Sequence, residues 1–226
     1  MTTAAEPAMQ RLTARDGHEL DCWIQPATAP RRGGLVILQE IFGLTDQLKG
    51  VAERYAARGL DVAIPALFDR KERGAVIPFS EAPRGRDIML ASDLEETMTD
   101  IEAAVEALAK DGGKVVVIGF CWGGGLALRA AQTLEVAGAI AFYGTRLPQY
   151  LDKPLKAPML FHFGTADSHV PPEMVEEARA ALPAAEFHMY EAGHAFANDA
   201  RPADYVAEAA ELAHKRTAAF IDEVLA

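Results

Sequence analysis

The 226-residue sequence predicts an α/β protein built on a largely parallel sheet, and three observations carry that prediction. Short apolar runs at 35–39 and 115–118 are rich in β-branched residues, the signature of strands buried on both faces. Between such runs stand segments with apolar residues three and four apart, the pattern of helices that bury one side. The two kinds of segment alternate along most of the chain, which implies parallel strands wrapped by helices on both faces. At this length one domain, residues 1–226, is expected, with chain enough for a sizeable core.

The elements follow in order. Residues 19–25 alternate enough to form an early strand after the turn at Asp16-Gly17, and residues 26–34 are a Pro/Arg/Gly loop. Residues 35–39 are a buried strand ending at Glu40. Asp46 is read as the N-cap of a helix with Leu48, Val51, Ala52 and Tyr55 on one face, closed by Gly59. Residues 61–65 are the next short strand. Residues 66–86 show no period and contain Pro78 and Pro83; a loop that long in a compact domain is more often functional than accidental. It carries several basic residues, Arg84 and Arg86 among them, in an acidic protein. The following helix has Leu94, Met98, Ile101, Val105 and Leu108 as its apolar stripe. Strands are then expected at 137–143, 158–163 and 186–190, with a helix opened by Pro171-Pro172 and a C-terminal helix bearing Val206, Phe220 and Ile221.

Composition narrows the function classes. Half of the residues are hydrophobic and 24% charged, an ordinary globular balance. The formal net charge of −11 repels nucleic acid and anionic membrane. There is no apolar run of about 18 residues, as a membrane span needs. Residues 1–9 lack the charged start and apolar core of a signal peptide. Cys22 and Cys121 do not make a disulfide framework, and two free thiols in a reducing cytoplasm is the simpler account. No Cys/His spacing resembles a zinc site. The expectation is a cytoplasmic protein acting on a small molecule, without nucleic-acid or membrane partners. The sequence does not fix its oligomeric state; a monomer is compatible with it.

The stretch from Val115 carries the chemistry. A buried strand passes through Gly119-x-Cys121-x-Gly123-Gly124 into an Ala/Leu-rich helix, the strand–turn–helix context of a nucleophile elbow with Cys in place of Ser. The alternative is a buried Cys in a Gly-rich bend. Downstream, Asp167 and His194 complete the order nucleophile, acid, histidine, each just past the end of an expected strand, where ligands of such sheets bind. A thiol is mostly protonated at neutral pH, so it needs a base; His194 would take its proton, and Asp167 would hold the imidazole. Among the other histidines, His162 lies in an apolar strand and reads as a core residue, His169 is close enough to Asp167 to reach the site, and His18, His188 and His214 have no motif around them. Asp167 also has the reading of an Asx-turn residue.

At this point the sequence resembles the dienelactone hydrolase family, from about Leu35 to Phe220. Four motifs in order carry the resemblance: Gln39-Glu40-Ile41-Phe42-Gly43, Gly119-Phe120-Cys121-Trp122-Gly123-Gly124, His162-Phe163-Gly164-x-x-Asp167-x-x-Val170-Pro171 and Tyr190-Glu191-x-Gly193-His194-x-Phe196. It implies a single-domain α/β-hydrolase fold with a mixed, mostly parallel sheet, and a catalytic group of Cys121, His194 and Asp167. It also gives Glu40 a role: a carboxylate that meets the resting thiol, disfavours the thiolate, and moves when an anionic substrate binds. The oxyanion hole would be the backbone N–H groups of Ile41 and Trp122. Family members that open dienelactone hold its carboxylate with two arginines. Here Arg84 or Arg86 stands near the first position, and Asn198 occupies the second with Arg201 nearby. With Tyr143, these are the candidate substrate-contacting residues.

The function expected is therefore a cysteine-nucleophile hydrolase of ester or lactone bonds, working through an acyl-enzyme on Cys121 without metal or organic cofactor. The alternatives are a general carboxylesterase or thioesterase on neutral substrates, or a catalytically silent hydrolase-fold protein that binds a small ligand.

Overall fold

The computed structural model describes residues 6–226; Met1 to Ala5, part of the N-terminal stretch read above, lie outside it. Two compact units are distinguished, one up to Val116 and one from Val117 onward.

The first unit holds β1 (Ala8–Thr13), β2 (Glu19–Gln25), β3 (Gly33–Leu38), α1 (Asp46–Ala56), β4 (Leu60–Pro65), α2 (Ala82–Ala91) and α3 (Leu94–Ala109). Its strands run in the order β1-β2-β4-β3. β1 pairs antiparallel with β2, and β2 with β4, while β3 and β4 are parallel, Leu35 opposite Val62. Every residue of β3 is buried, so both its faces are covered, as a continuous apolar run requires. α1 and α3 both pack on β3 and β4. The unit is braced by Arg70, which gives two hydrogen bonds to the buried Asp100 of α3 (2.9 and 2.7 Å), one to Thr99 and an ion pair to Asp16.

Three expectations need correction here. β1 was not foreseen; most of its residues are exposed, and pairing with β2 alone makes it a strand. α1 is capped by Thr45, whose hydroxyl accepts from the N–H of Leu48, and Asp46 is its first residue. The stretch read as a loop to Arg86 turns helical earlier: a 3-10 turn at Phe79–Glu81 leads into α2 at Ala82. Pro83 stands in the first turn of α2, where its missing N–H has no acceptor to lose.

From Val117 the second unit takes up β5 (Val115–Phe120), then α4 (Trp122–Thr133), β6 (Gly138–Phe142), β7 (Met159–Gly164), α5 (Pro172–Ala181), β8 (Glu186–Tyr190) and α6 (Ala207–Leu225). Strand order is β5-β6-β7-β8, with β6–β7 and β7–β8 parallel. β5, β6 and β7 are buried throughout. α4 packs on β6, and α6 on β6 and β7. The expected core role of His162 holds: it is fully buried, with Nδ1 at 2.8 Å from the Tyr190 hydroxyl and Nε2 at 2.9 Å from that of Thr217. Burial drives its pKa well below the ordinary range, with the nearby His188, His214 and Arg216 acting in the same direction.

Candidate active site

In the second unit, three loops that follow β5, β7 and β8 bring Cys121, Asp167 and His194 together. Cys121 is the turn residue between β5 and α4, at φ 53° and ψ −114°, outside the comfortable regions for a side-chain-bearing residue. Its N–H donates to the carbonyl of Phe142, and its carbonyl accepts from Gly124 and Thr145, so the backbone is pinned in that conformation. Gly119 is required for the same reason: a Cβ there would run into the carbonyl of Gly123. Tyr143 and Ala195 also have positive φ, and both adjoin His194. Such residues cost roughly 1–3 kcal/mol each and persist where the surroundings over-determine them.

Asp167 is held from two directions. Its Oδ1 accepts the N–H of His169 at 2.8 Å and that of Val170 at 3.3 Å, an Asx-type turn. Its Oδ2 accepts Nδ1 of His194 at 2.8 Å. The turn reading and the triad geometry are thus compatible in one residue: the amides fix the carboxylate that orients the imidazole. The loops after β7 and β8 are tied by hydrogen bonds from Thr165 to Tyr190 and from Ala166 to Ala192.

His194 hydrogen-bonds to the Cys121 side chain as well as to Asp167. Burial disfavours its charge, but the Asp167 and Cys121 hydrogen bonds outweigh it and raise the imidazole to about 10. Burial would raise Asp167, yet His194 and the His169 amide bring it below the ordinary carboxylate value. At neutral pH the imidazole is thus held as a cation beside the Asp167 carboxylate. Trp122 opens α4, where backbone N–H groups have no intrahelical acceptor and the helix dipole favours negative charge.

His169 does reach this group. Its ring centroid lies 4.4 Å from that of His194, and Nδ1 is 3.7 Å from Asp167 Oδ1. Partial burial and the charge of His194 lower its pKa. Donor atoms of Asp167, His169 and His194 lie within 4.8 Å of one another, the one grouping among the described residues that could gather round a metal ion. Both carboxylate oxygens of Asp167 are already engaged by the amides and by His194, so a metal would have to displace the Asp167–His194 hydrogen bond.

The other expected residues fall as follows. Tyr143 is fully buried, its ring edge-on to His194 at 5.1 Å and to Phe196 at 5.4 Å. It packs behind the histidine instead of lining an open substrate site. Asn198 is buried, with Oδ1 accepting from the N–H of Ala200. Arg201 pairs with Asp204 at 2.7 Å and is near enough to His169 to disfavour its protonation. In the first unit, Glu40 is buried just past β3. Arg84 and Arg86 are exposed on α2, Arg84 paired with Glu72 and Glu81. Gln39 carried no role in the sequence beyond its place in a motif. It is fully buried and hydrogen-bonds on both sides, to the carbonyl of Glu40 and from the N–H of Leu67.

A strained cysteine at a strand–helix elbow, backed by a histidine and an aspartate on later loops, defines an α/β-hydrolase. The chain belongs to the dienelactone hydrolase family: the model of that family matches residues 21–225, across both units. It is 35% identical over 219 residues to a carboxymethylenebutenolidase of Pseudomonas putida, covering 91% of this chain and 92% of that one. A carboxymethylenebutenolidase of Cupriavidus pinatubonensis is 30% identical, with 91% and 92% covered. The crystal structure of a putative dienelactone hydrolase from Klebsiella pneumoniae matches at a TM-score of 0.80 and 26% identity, covering 94% of this chain and 98% of that one. An α/β serine hydrolase homologue from Coxiella burnetii shares the fold at a TM-score of 0.71 and 15% identity, with 95% and 99% covered. Among the described residues, no helix is long and apolar enough to cross a membrane.

Proposed function

We propose that the protein is a cytoplasmic cysteine-nucleophile hydrolase of ester or lactone bonds, a single catalytic domain that needs no metal or organic cofactor. One observation carries the reading: His194 hydrogen-bonds at once to the Cys121 thiol and to a buried Asp167. In the proposed cycle the Cys121 proton passes to His194 as the sulfur attacks the carbonyl carbon, and the carbonyl electron pair moves onto oxygen. The amides of Trp122 and Ile41, the roles the family resemblance gives them, hold that oxyanion. Its collapse breaks the C–O bond, and His194 gives its proton to the departing alkoxide. Water then adds to the thioester while His194 takes its proton, and the thiolate leaves as the acid is released. Glu40 is assigned, also by resemblance, to keeping the resting thiol quiet.

A short chromogenic ester tests this. The protein should give an acylation burst and turnover, both abolished by Cys121→Ala, while Cys121→Ser keeps activity well below wild type. Glu40→Gln should alkylate faster with iodoacetamide at neutral pH. No burst, no turnover and no thiol-specific inactivation would favour a silent ligand-binding protein instead.

A further inference from the structure

We infer that Gln39 is a positioning residue for the Ile41 amide, holding the Glu40–Ile41 peptide from one side while Gly85 confines the Ile41 carbonyl from the other. The inference rests on the oxyanion role proposed for Ile41. Its geometry lies wholly within the first unit.

A peptide group is planar and almost always trans, so the carbonyl of Glu40 and the N–H of Ile41 point in opposite directions within one rigid plate. Whatever fixes the carbonyl therefore aims the N–H. The carbonyl of Glu40 accepts Nε2 of Gln39 at 3.2 Å. Gln39 has no freedom of its own, because it is fully buried and its Oε1 accepts the N–H of Leu67 at 3.1 Å. The relay runs from the backbone after β4, through the Gln39 amide, to the plate that carries the Ile41 N–H. A hydrogen bond received at the carbonyl also polarises the peptide and strengthens its N–H as a donor.

The next peptides are held from the opposite direction. Gly85, buried in α2, lies so close to the Ile41 carbonyl that a Cβ would collide with its oxygen. Ile77 donates its N–H to the Phe42 carbonyl at 2.9 Å. The Phe79 ring stands edge-on to Phe42 at 4.8 Å, and Gly43 forms an isolated antiparallel bridge with Val76. Residues 41, 42 and 43 are each met by a contact from the stretch between Val76 and Gly85. That accounts for the long segment 66–86: it backs a loop whose backbone direction matters.

The test uses Gln39→Met, close in shape but without the amide, and Gly85→Ala, which pushes on the same backbone from the other side. For each, ester hydrolysis is compared with alkylation of Cys121 by iodoacetamide. Alkylation proceeds at a saturated carbon and forms no oxyanion, so it reports the thiol and its histidine alone. Expected is a fall in kcat of about 10- to 100-fold, somewhat less than complete loss of an oxyanion donor, with KM and the alkylation rate each within about twofold of wild type, as a transition-state-only loss requires. Equal losses in hydrolysis and alkylation, or no loss in either, would overturn the positioning role. If thermal melting shows either variant unfolded, Phe79→Ala takes its place, with the same split expected at smaller size. A wild-type protein without a burst would instead sink the cysteine-hydrolase reading, whereas a normal burst with unchanged variants sinks this inference alone.

Discussion

His194 meets Asp167 at 2.8 Å between Nδ1 and Oδ2, and the carboxylate side chain it meets has no exposed surface. The bond therefore works in a region where little water competes for it. Asp167→Asn keeps the shape but replaces an anionic acceptor with an amide that cannot hold the same imidazole tautomer. We expect kcat to drop by about 10²- to 10⁴-fold with the fold retained, checked by steady-state kinetics and circular dichroism.

The same pair has a pH signature. His194 is raised from 6.5 to about 10, so the folded state holds a proton that the unfolded chain gives up earlier. Its contribution to stability is complete below pH 6.5 and is lost as pH rises through about 10. Thermal melts between pH 6 and 10.5 should show this alkaline decline in the wild type and a smaller one in Asp167→Asn. Equal declines would contradict the linkage.

His162 gives the opposite arm. It is held neutral by burial, so below pH 6.5 the unfolded chain binds a proton that the native state refuses. Stability should fall as pH drops below 6.5, by up to about 1.4 kcal/mol per pH unit from this group. His162→Phe should flatten that arm. At pH 7 it should cost about 1–3 kcal/mol, because the hydroxyls of Tyr190 and Thr217 lose their partner. Denaturant melts at pH 5 and 7 measure both effects.

Arg70 and Asp100 are buried together, their side chains 12% and 1% exposed. Burial raises the Asp100 carboxyl even against the guanidinium beside it, which marks how expensive that carboxylate would be alone. Arg70→Met should cost about 3–5 kcal/mol, and adding Asp100→Leu should recover much of the loss, since an apolar pair strands no charge. Urea unfolding of the single and double variants decides it.

Substrate charge is the next prediction. At one place where dienelactone-opening relatives are expected to carry an arginine, this chain has a buried Asn198, while Arg201 and Arg84 are engaged by carboxylates. An Arg–carboxylate contact is worth roughly 1.5–3 kcal/mol. Its absence should lower kcat/KM by about ten- to a hundredfold for an acidic lactone relative to its uncharged counterpart. A strong preference for the acid would mean that Arg84, Arg86 or Arg201 holds it. Single replacements by Met, each losing only the charged substrate, would name the residue.

The loops that bring Cys121, Asp167 and His194 together were legible because each requirement is local. A glycine at position 119 and glycines after Cys121 mark a turn of one kind, and Asp167 and His194 each follow an unmistakable buried strand. What escaped depends on partners distant in sequence. β1 has no buried face of its own and exists through β2. The start of α2 was hidden because it opens, with Pro83 in its first turn, inside a stretch that shows no period. Tyr143 stands just past a strand end, where binding residues gather, and only packing shows it fully buried edge-on against His194. Gln39 looks like any polar residue at a strand end until Leu67, 28 positions away, is seen to hold it.

The loops that meet at Cys121 leave the ribosome at different times. His194 follows Cys121 by 73 residues, the difference of their positions. At about 5–20 residues per second of synthesis, the thiol exists for roughly 4–15 seconds before its histidine has been made. During that interval it lacks the imidazole that, in the proposed mechanism, takes its proton. Under the proposed mechanism, truncated chains that stop before position 194 carry the sulfur without the group that takes its proton.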